Sequence, residues 1–278
     1  MNTYKVYLQM LSLFFCAMLL SCKKSGPAIN TPINNNGGSN PPAYTLAWEE
    51  DFNGTSLDTS WYYRQLGPRN DAVNDKSTVS LDGQGNLILK VYSDTVNGVV
   101  THHAGMIATH KLFGFGRFEE RASFVNQSGS WSAFWLQSNT LGNPLGNPQQ
   151  AGMEIDILET LPHDGSAHNN LHWDGYGADE KSVGMNSGLN YGVNSGNYHI
   201  FSLEWTPTSY KFYVDNNLTW TYTANISQIP EYIILSTECK NYPVGSWAGP
   251  IPPGGYGSLS TTNTVMKVDY IKYYKLNQ

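Results

Sequence analysis

Cysteine is nearly absent from this chain. Three occur in 278 residues, at Cys16, Cys22 and Cys239, and the first two belong to an apolar N-terminal stretch. Cys239 is thus left without an intrachain disulfide partner, even though that stretch implies export. Basic residues are also scarce. Sixteen Lys and Arg against 22 Asp and Glu give a net charge of −6, which argues against nucleic acid or a strongly anionic polymer as the main partner. No long amphipathic helix and no internal repeat can be traced. The apolar run from Leu8 to Leu20 is too short for a comfortable membrane span, so with Lys5 before it the run reads as a signal peptide. GFGRFE, residues 114–119, lacks the third glycine of a dinucleotide fingerprint and any following helix. His163, His168 and His172 fall at no standard zinc spacing.

What is present divides the chain in three. Residues 1–21 form the signal, whose end, Leu19, Leu20, Ser21 and Cys22, resembles the lipobox at which a bacterial lipoprotein is lipidated on cysteine. An ordinary cleaved signal is the alternative. Residues 22–42 carry this Cys22 and then a run of Pro, Gly, Asn and Ser without periodicity, a flexible tether. Residues 43–278 remain for one large all-β domain. Short alternating runs such as GRFEERASF, WSAFWLQS, HIFSLEWT and VMKVDYIKYYK, separated by turn residues, predict an antiparallel sandwich. Alternation puts Arg117, Glu119 and Arg121 on one face of their strand, with Phe118, Glu120, Ala122 and Phe124 on the other. It also puts Trp131, Ala133 and Trp135 together. Two Trp on one face serve either as a sugar platform or as packing, and parity alone favours packing.

The most informative stretch is GMEIDILET, Gly152 to Thr160, where Glu154, Asp156 and Glu159 stand among apolar residues. In a strand Glu154 and Asp156 share a face, whereas Glu159 has the wrong parity unless a bulge near Ile157 and Leu158 inserts one extra residue. With that bulge all three acids line one face. Such a row fits a retaining glycosidase, which needs one carboxylate as nucleophile and one carboxylic acid as proton donor. Crowding raises the pKa of whichever acid is hardest to ionise, as a general acid requires. A calcium loop is a poorer fit, because Ile155, Ile157 and Leu158 offer no side-chain oxygens.

EIDILE, together with AWEEDFNG, GRFEER, GSWSAFW, NLHWDGYG, EWTPTSYKFYVD and VDYIKYY in matching order, resembles glycoside hydrolase family 16 in its bulged, laminarinase-like form. The likeness spans nearly all of the folded region. It implies a concanavalin-like β-jelly-roll sandwich of two antiparallel sheets with a concave substrate cleft. It also implies roles: Glu154 as nucleophile, Glu159 as general acid/base, and Asp156 hydrogen-bonded between them. Trp131, Trp135 and His172 match cleft-lining positions, and Glu119 and Arg121 a polar stretch counted with substrate binding, more as support than as sugar contact. Asp51 and Asp269 match ligands of a structural calcium, and no cofactor is required for the chemistry. Two segments depart from the laminarinase pattern, AGMIAT at Ala104 to Thr109 and STECKNYPVGSWAGP from Ser236. The expectation is a monomeric, lipid-anchored bacterial enzyme that cuts internal bonds of a neutral β-1,3- or mixed-linkage β-glucan with retention. Agar-type galactan is the alternative substrate, and a noncatalytic sugar-binding sandwich the alternative class.

Overall fold

A computed structural model describes residues 43–186 and 190–277. Cys22, the signal and the tether lie outside the described residues. Pro42–Gln278 forms one compact unit. Its alternating runs pair into two large antiparallel sheets, as the period-two pattern predicts. In spatial order the first contains strands Lys181–Asn186, Ala167–Trp173, Glu154–Thr160, Ser130–Gln137, Glu231–Cys239, Met106–Phe113 and Trp61–Tyr63. The second runs Asn217–Tyr222, Ser209–Val214, His199–Thr206, Gly116–Val125, Val265–Leu276, Leu87–Lys90 and Val79–Leu81, with Tyr44–Glu50 also pairing to Val265–Leu276. A small third sheet carries Gly67–Arg69, Ala72–Asn74, Val99–Ala104 and Tyr92–Val96.

The two large sheets bury their facing sides in one core. Phe134, Leu136, Ile155, Leu158 and Leu171 come from the first sheet and Phe118, Phe124, Leu203, Trp205 and Phe212 from the second. Truncating any of these large side chains to Ala would cost on the order of 2–5 kcal/mol. With Phe134 and Leu136 pointing inward, Trp131, Ala133 and Trp135 must face out of the sandwich from the first sheet. The same parity fixes Glu119 and Arg121 on the outer face of the second sheet. Arg121 pairs with Asp269 at 2.6 Å, while Glu119 accepts from Tyr270 at 3.0 Å and pairs with Arg117 at 3.4 Å.

Candidate active site

The strand Glu154–Thr160 carries the bulge that its sequence requires. In the register with Ser130–Gln137, Phe134 faces Leu158 and the next residue, Trp135, faces Asp156. Against Ala167–Trp173 the pairing jumps from Asp156 to Glu159. Ile157 is skipped on both sides, so Ile155, Ile157 and Leu158 all enter the core while Glu154, Asp156 and Glu159 emerge together on the outer face. The strand begins at a close approach. A Cβ on Gly152, whose φ is +75°, would lie 2.2 Å from the Ser138 side chain, so only glycine fits there.

The three acids line a cleft of about 450 Å³ with Trp131, Trp135 and His172. Arg69, Ala133, Asn170, Tyr176, Ser236, Glu238, Tyr242 and Trp247 complete its lining. The surroundings of the acids are unequal. Glu154 accepts from Gln137 Nε2 at 3.1 Å and from the Tyr176 hydroxyl. Asp156 lies 3.5 Å from His172 Nε2, and His172 Nδ1 contacts Glu180 at 2.9 Å. Glu159 accepts from Asn170 Nδ2 at 2.6 Å.

Burial first, and then the charge of Asp156, push Glu154 up to about 7, against the lowering effect of Tyr176, His172 and Gln137. The same two causes carry Glu159 well above the usual carboxylate range, with Asn170 as its opposing hydrogen bond. Burial raises Asp156 as well, with His172 opposing. For His172 burial disfavours the cation, but hydrogen bonding and charge from Asp156, then Glu154 and Glu180, prevail and raise it to about 10. Burial thus favours the protonated form more strongly at Glu159 than at Glu154, while His172, beside Asp156, opposes the upward pull of burial on that carboxyl.

The two tryptophans line the cleft and pack at once, being only 8% and 5% exposed. Trp135 donates to Ser236 Oγ at 3.1 Å. Trp131 rests on Leu161 and Ala248 and meets Trp247 edge-on. Glu119 and Arg121 require correction. They sit on the far sheet, facing away from the core, so a whole sandwich thickness separates them from the cleft. The calcium pair fits its expectation poorly, because the Arg121 guanidinium already engages Asp269. Among the described residues, the three-residue group whose ligand atoms approach within 4.8 Å is Glu154, Asp156 and His172.

Arg69, from the short strand Gly67–Arg69 of the small sheet, and Tyr176, Tyr242 and Trp247, from turns and loops, are not legible as cleft residues in the sequence. The segment from Ser236, flagged as atypical, supplies Tyr242 and Trp247. The other atypical run places Met106 and Ala108 in an apolar cluster with Trp135, Tyr232 and Ile234.

The sequence profile described as glycosyl hydrolases family 16 matches residues 67–272. This chain belongs to glycosyl hydrolases family 16. Among family-like relatives, the keratan-sulfate endo-1,4-beta-galactosidase of Sphingobacterium multivorum is 25% identical over 93% of this chain and 64% of its own length. The glucan endo-1,3-beta-glucosidase A1 of Niallia circulans is 28% identical over 83% of this chain and 38% of its own. The chain thus spans less than two thirds of either relative. In fold it resembles the laminarinase catalytic domain of Thermotoga petrophila, with TM-score 0.67 at 22% identity, over 86% of this chain and 100% of that one. Porphyranase B of Zobellia galactanivorans gives TM-score 0.68 at 18% identity, over 87% and 97%. The fold of the family is the jelly roll described above.

Proposed function

We propose that this chain is a retaining endo-β-glycanase acting on a neutral β-linked polysaccharide, with a β-1,3- or mixed-linkage β-glucan as first substrate. The observation that carries the reading is the bulged row, with an ionisable Glu154 at one end and a protonated Glu159 at the other. In the first step the Glu154 carboxylate attacks the anomeric carbon as the glycosidic bond breaks, and Glu159 gives its proton to the departing oxygen. In the second, Glu159, now a carboxylate, takes a proton from the water that attacks the same carbon and frees Glu154. Asp156, whose charged form is favoured by His172, raises Glu159 and so helps hold its proton.

Among the described residues one Lys or Arg lines the cleft, Arg69, which supports a neutral substrate. Arg69 is committed to Glu238, with Nε 3.0 and 2.9 Å from the two carboxylate oxygens, and to Gln65 at 2.8 Å. A guanidinium already held in this way is poorly placed to grip a sulfate ester. An agar-type galactan is the second reading; a β-galactoside substrate is supported by the keratan-sulfate endo-1,4-beta-galactosidase that matches 93% of this chain. The test is reducing-sugar release from laminarin, lichenan, agarose, carrageenan, keratan sulfate and xyloglucan, with the product anomer followed by proton NMR. Release from laminarin or lichenan with the β-anomer appearing first is expected, and agarose alone would select the second reading. The α-anomer first would reject retention, and no release at all would make the chain a sugar-binding sandwich.

A further inference from the structure

Tyr176 has no assigned role, yet its hydroxyl touches the acid read above as the nucleophile. The turn that carries it is pinned at both ends. Asp174 accepts the Gly146 N–H at 2.7 Å and the Lys181 ammonium at 2.6 Å, and Glu180 is bound by His172. Between these anchors Gly175 and Gly177 hold φ of +79° and +115°, which side chains with a Cβ rarely adopt. The chain folds back on these glycines. Tyr176, 63% exposed at the tip, turns its hydroxyl onto Glu154 Oε2.

A second donor converges on the same oxygen. Gln137 Nε2 reaches Glu154 Oε2 at 3.1 Å and also contacts the Tyr176 hydroxyl. Gln137 cannot turn freely, because its own Oε1 accepts from Tyr232 at 2.6 Å and from Arg64. Both donors are therefore held on Oε2 by groups anchored elsewhere.

We propose that Tyr176 is the positioning residue of the nucleophile, fixing Glu154 Oε2 so that Oε1 is the oxygen that attacks the anomeric carbon. The inference rests on the retaining reading given above. Its balance is simple. Oε1 forms the new C–O bond while the glycosidic bond breaks, the bonding pair leaves with the aglycone oxygen, and that oxygen takes the proton of Glu159. Oε2 becomes the ester carbonyl and still accepts from Tyr176. When water opens the ester, the pair on Oε1 returns to the carboxylate, and the phenol stabilises the charge that reappears. Its effect is thus largest in the second step, in which Glu154 departs.

Tyr176→Phe removes the hydroxyl and keeps the ring. On an aryl glycoside with a good leaving group, the second step should slow about 10- to 100-fold, and kcat and KM should fall together as the glycosyl-enzyme accumulates. The acidic limb of the pH–rate profile should move up by about one unit, since a donor to the charged form is lost. A merely structural or sugar-contacting Tyr176 would raise KM and leave that limb in place, which overturns the inference. Carbon-13 titration of the Glu154 carboxyl, assigned by its loss in Glu154→Gln, reads the same hydrogen bond without turnover. An upward shift in Tyr176→Phe is expected, and an unmoved titration overturns the inference. A protein that shows the shift but cleaves no polysaccharide fails the hydrolase reading instead.

Discussion

Asp156 exerts its influence through charge rather than contact. It stands between two acids whose pKa values its charge raises, and His172 across the cleft face favours its charged form against burial. In the proposed mechanism Glu154 acts without its proton and Glu159 with one, so the two should govern the acidic and basic limbs of the pH profile. Both limbs are set by the coupled row rather than by isolated residues. Replacing Asp156 by Asn removes a negative charge next to each acid, and both should then ionise more easily. The whole bell should slide to lower pH by about one unit, with a reduced maximum. A pH series of kcat/KM on one soluble substrate measures this, and a bell that stays put or moves upward would refute the electrostatic role. At this scale the sequence was half legible. Alternation located the acids and the Trp131 face, and it separated Arg117, Glu119 and Arg121 from the core. Parity does not say which sheet a strand joins, and the resemblance that groups Glu119 and Arg121 with substrate binding does not supply it; they lie on the opposite layer. Tyr176 was out of reach for a related reason: its contact with Glu154 depends on two glycine dihedrals in a turn.

A bulge has to dispose of the backbone group it orphans. Ile157 has no partner in either neighbouring ladder, and its carbonyl is buried. Asn169 resolves this. Its side chain, 2% exposed, donates Nδ2 to Ile157 O at 2.7 Å, while the next residue, Asn170, points to the other face and donates to Glu159. Two adjacent asparagines on one strand thus hold the bulge from behind and aim the acid it delivers. Asn169→Leu keeps the volume but leaves that carbonyl unsatisfied, a cost of about 1–3 kcal/mol. The melting temperature should fall by roughly 2–12 °C, given about 2–4 °C per kcal/mol for a domain of this size. Because Glu159 is aimed by the same bulge, kcat should drop with little change in KM. Wild-type melting and kcat in this variant would show that the bulge needs no such brace. The bulge itself could be inferred from sequence, because three acids on one face and three branched residues on the other admit no other register. Its brace could not, since Asn169 and Ile157 meet only once the pairing offset is known. The atypical segment from Ser236 was legible only as a departure, and its Tyr242 and Trp247 became cleft residues through the path of the loop.

Across the whole molecule, buried carboxyls set how stability depends on pH. Burial drives Glu120 and Glu159 well above the ordinary range, Glu231 to about 8 and Glu154 to about 7. Each holds its proton in the folded state at a pH where the unfolded chain has released it. Their stabilising contribution is complete below the unfolded value, near 4.5, and is lost as pH rises through the folded one. His172, raised to about 10, acts with the same sign above its ordinary value of 6.5. Opposing them are aspartates held below the normal range, Asp75 by the Ser77 N–H and Asp174 by Lys181. Their contribution disappears only as pH falls below the ordinary value of 3.8. The two sets leave a maximum at about pH 4–5, on the acid side of the usual optimum of roughly 5–8. Glu120 offers the clearest test. It faces the core from the strand Gly116–Val125, it is 0% exposed, and among the described residues neither of its oxygens has a hydrogen-bond partner. Glu120→Met removes an ionisable group that the fold cannot satisfy and fills similar space with apolar atoms, a change that is neutral or stabilising for buried groups of this kind. Calorimetric melting from pH 3 to 9 should show the wild type most stable near pH 5 and declining toward pH 9. The variant should match it near pH 5, melt several degrees higher at pH 8, and show a shallower decline between. Since Glu120 is remote from the cleft, kcat at a given pH should stay the same. A wild-type curve that is flat from pH 5 to 9, or a variant that melts lower at pH 8, would show that Glu120 ionises without cost and that the alkaline sensitivity of the fold has another source.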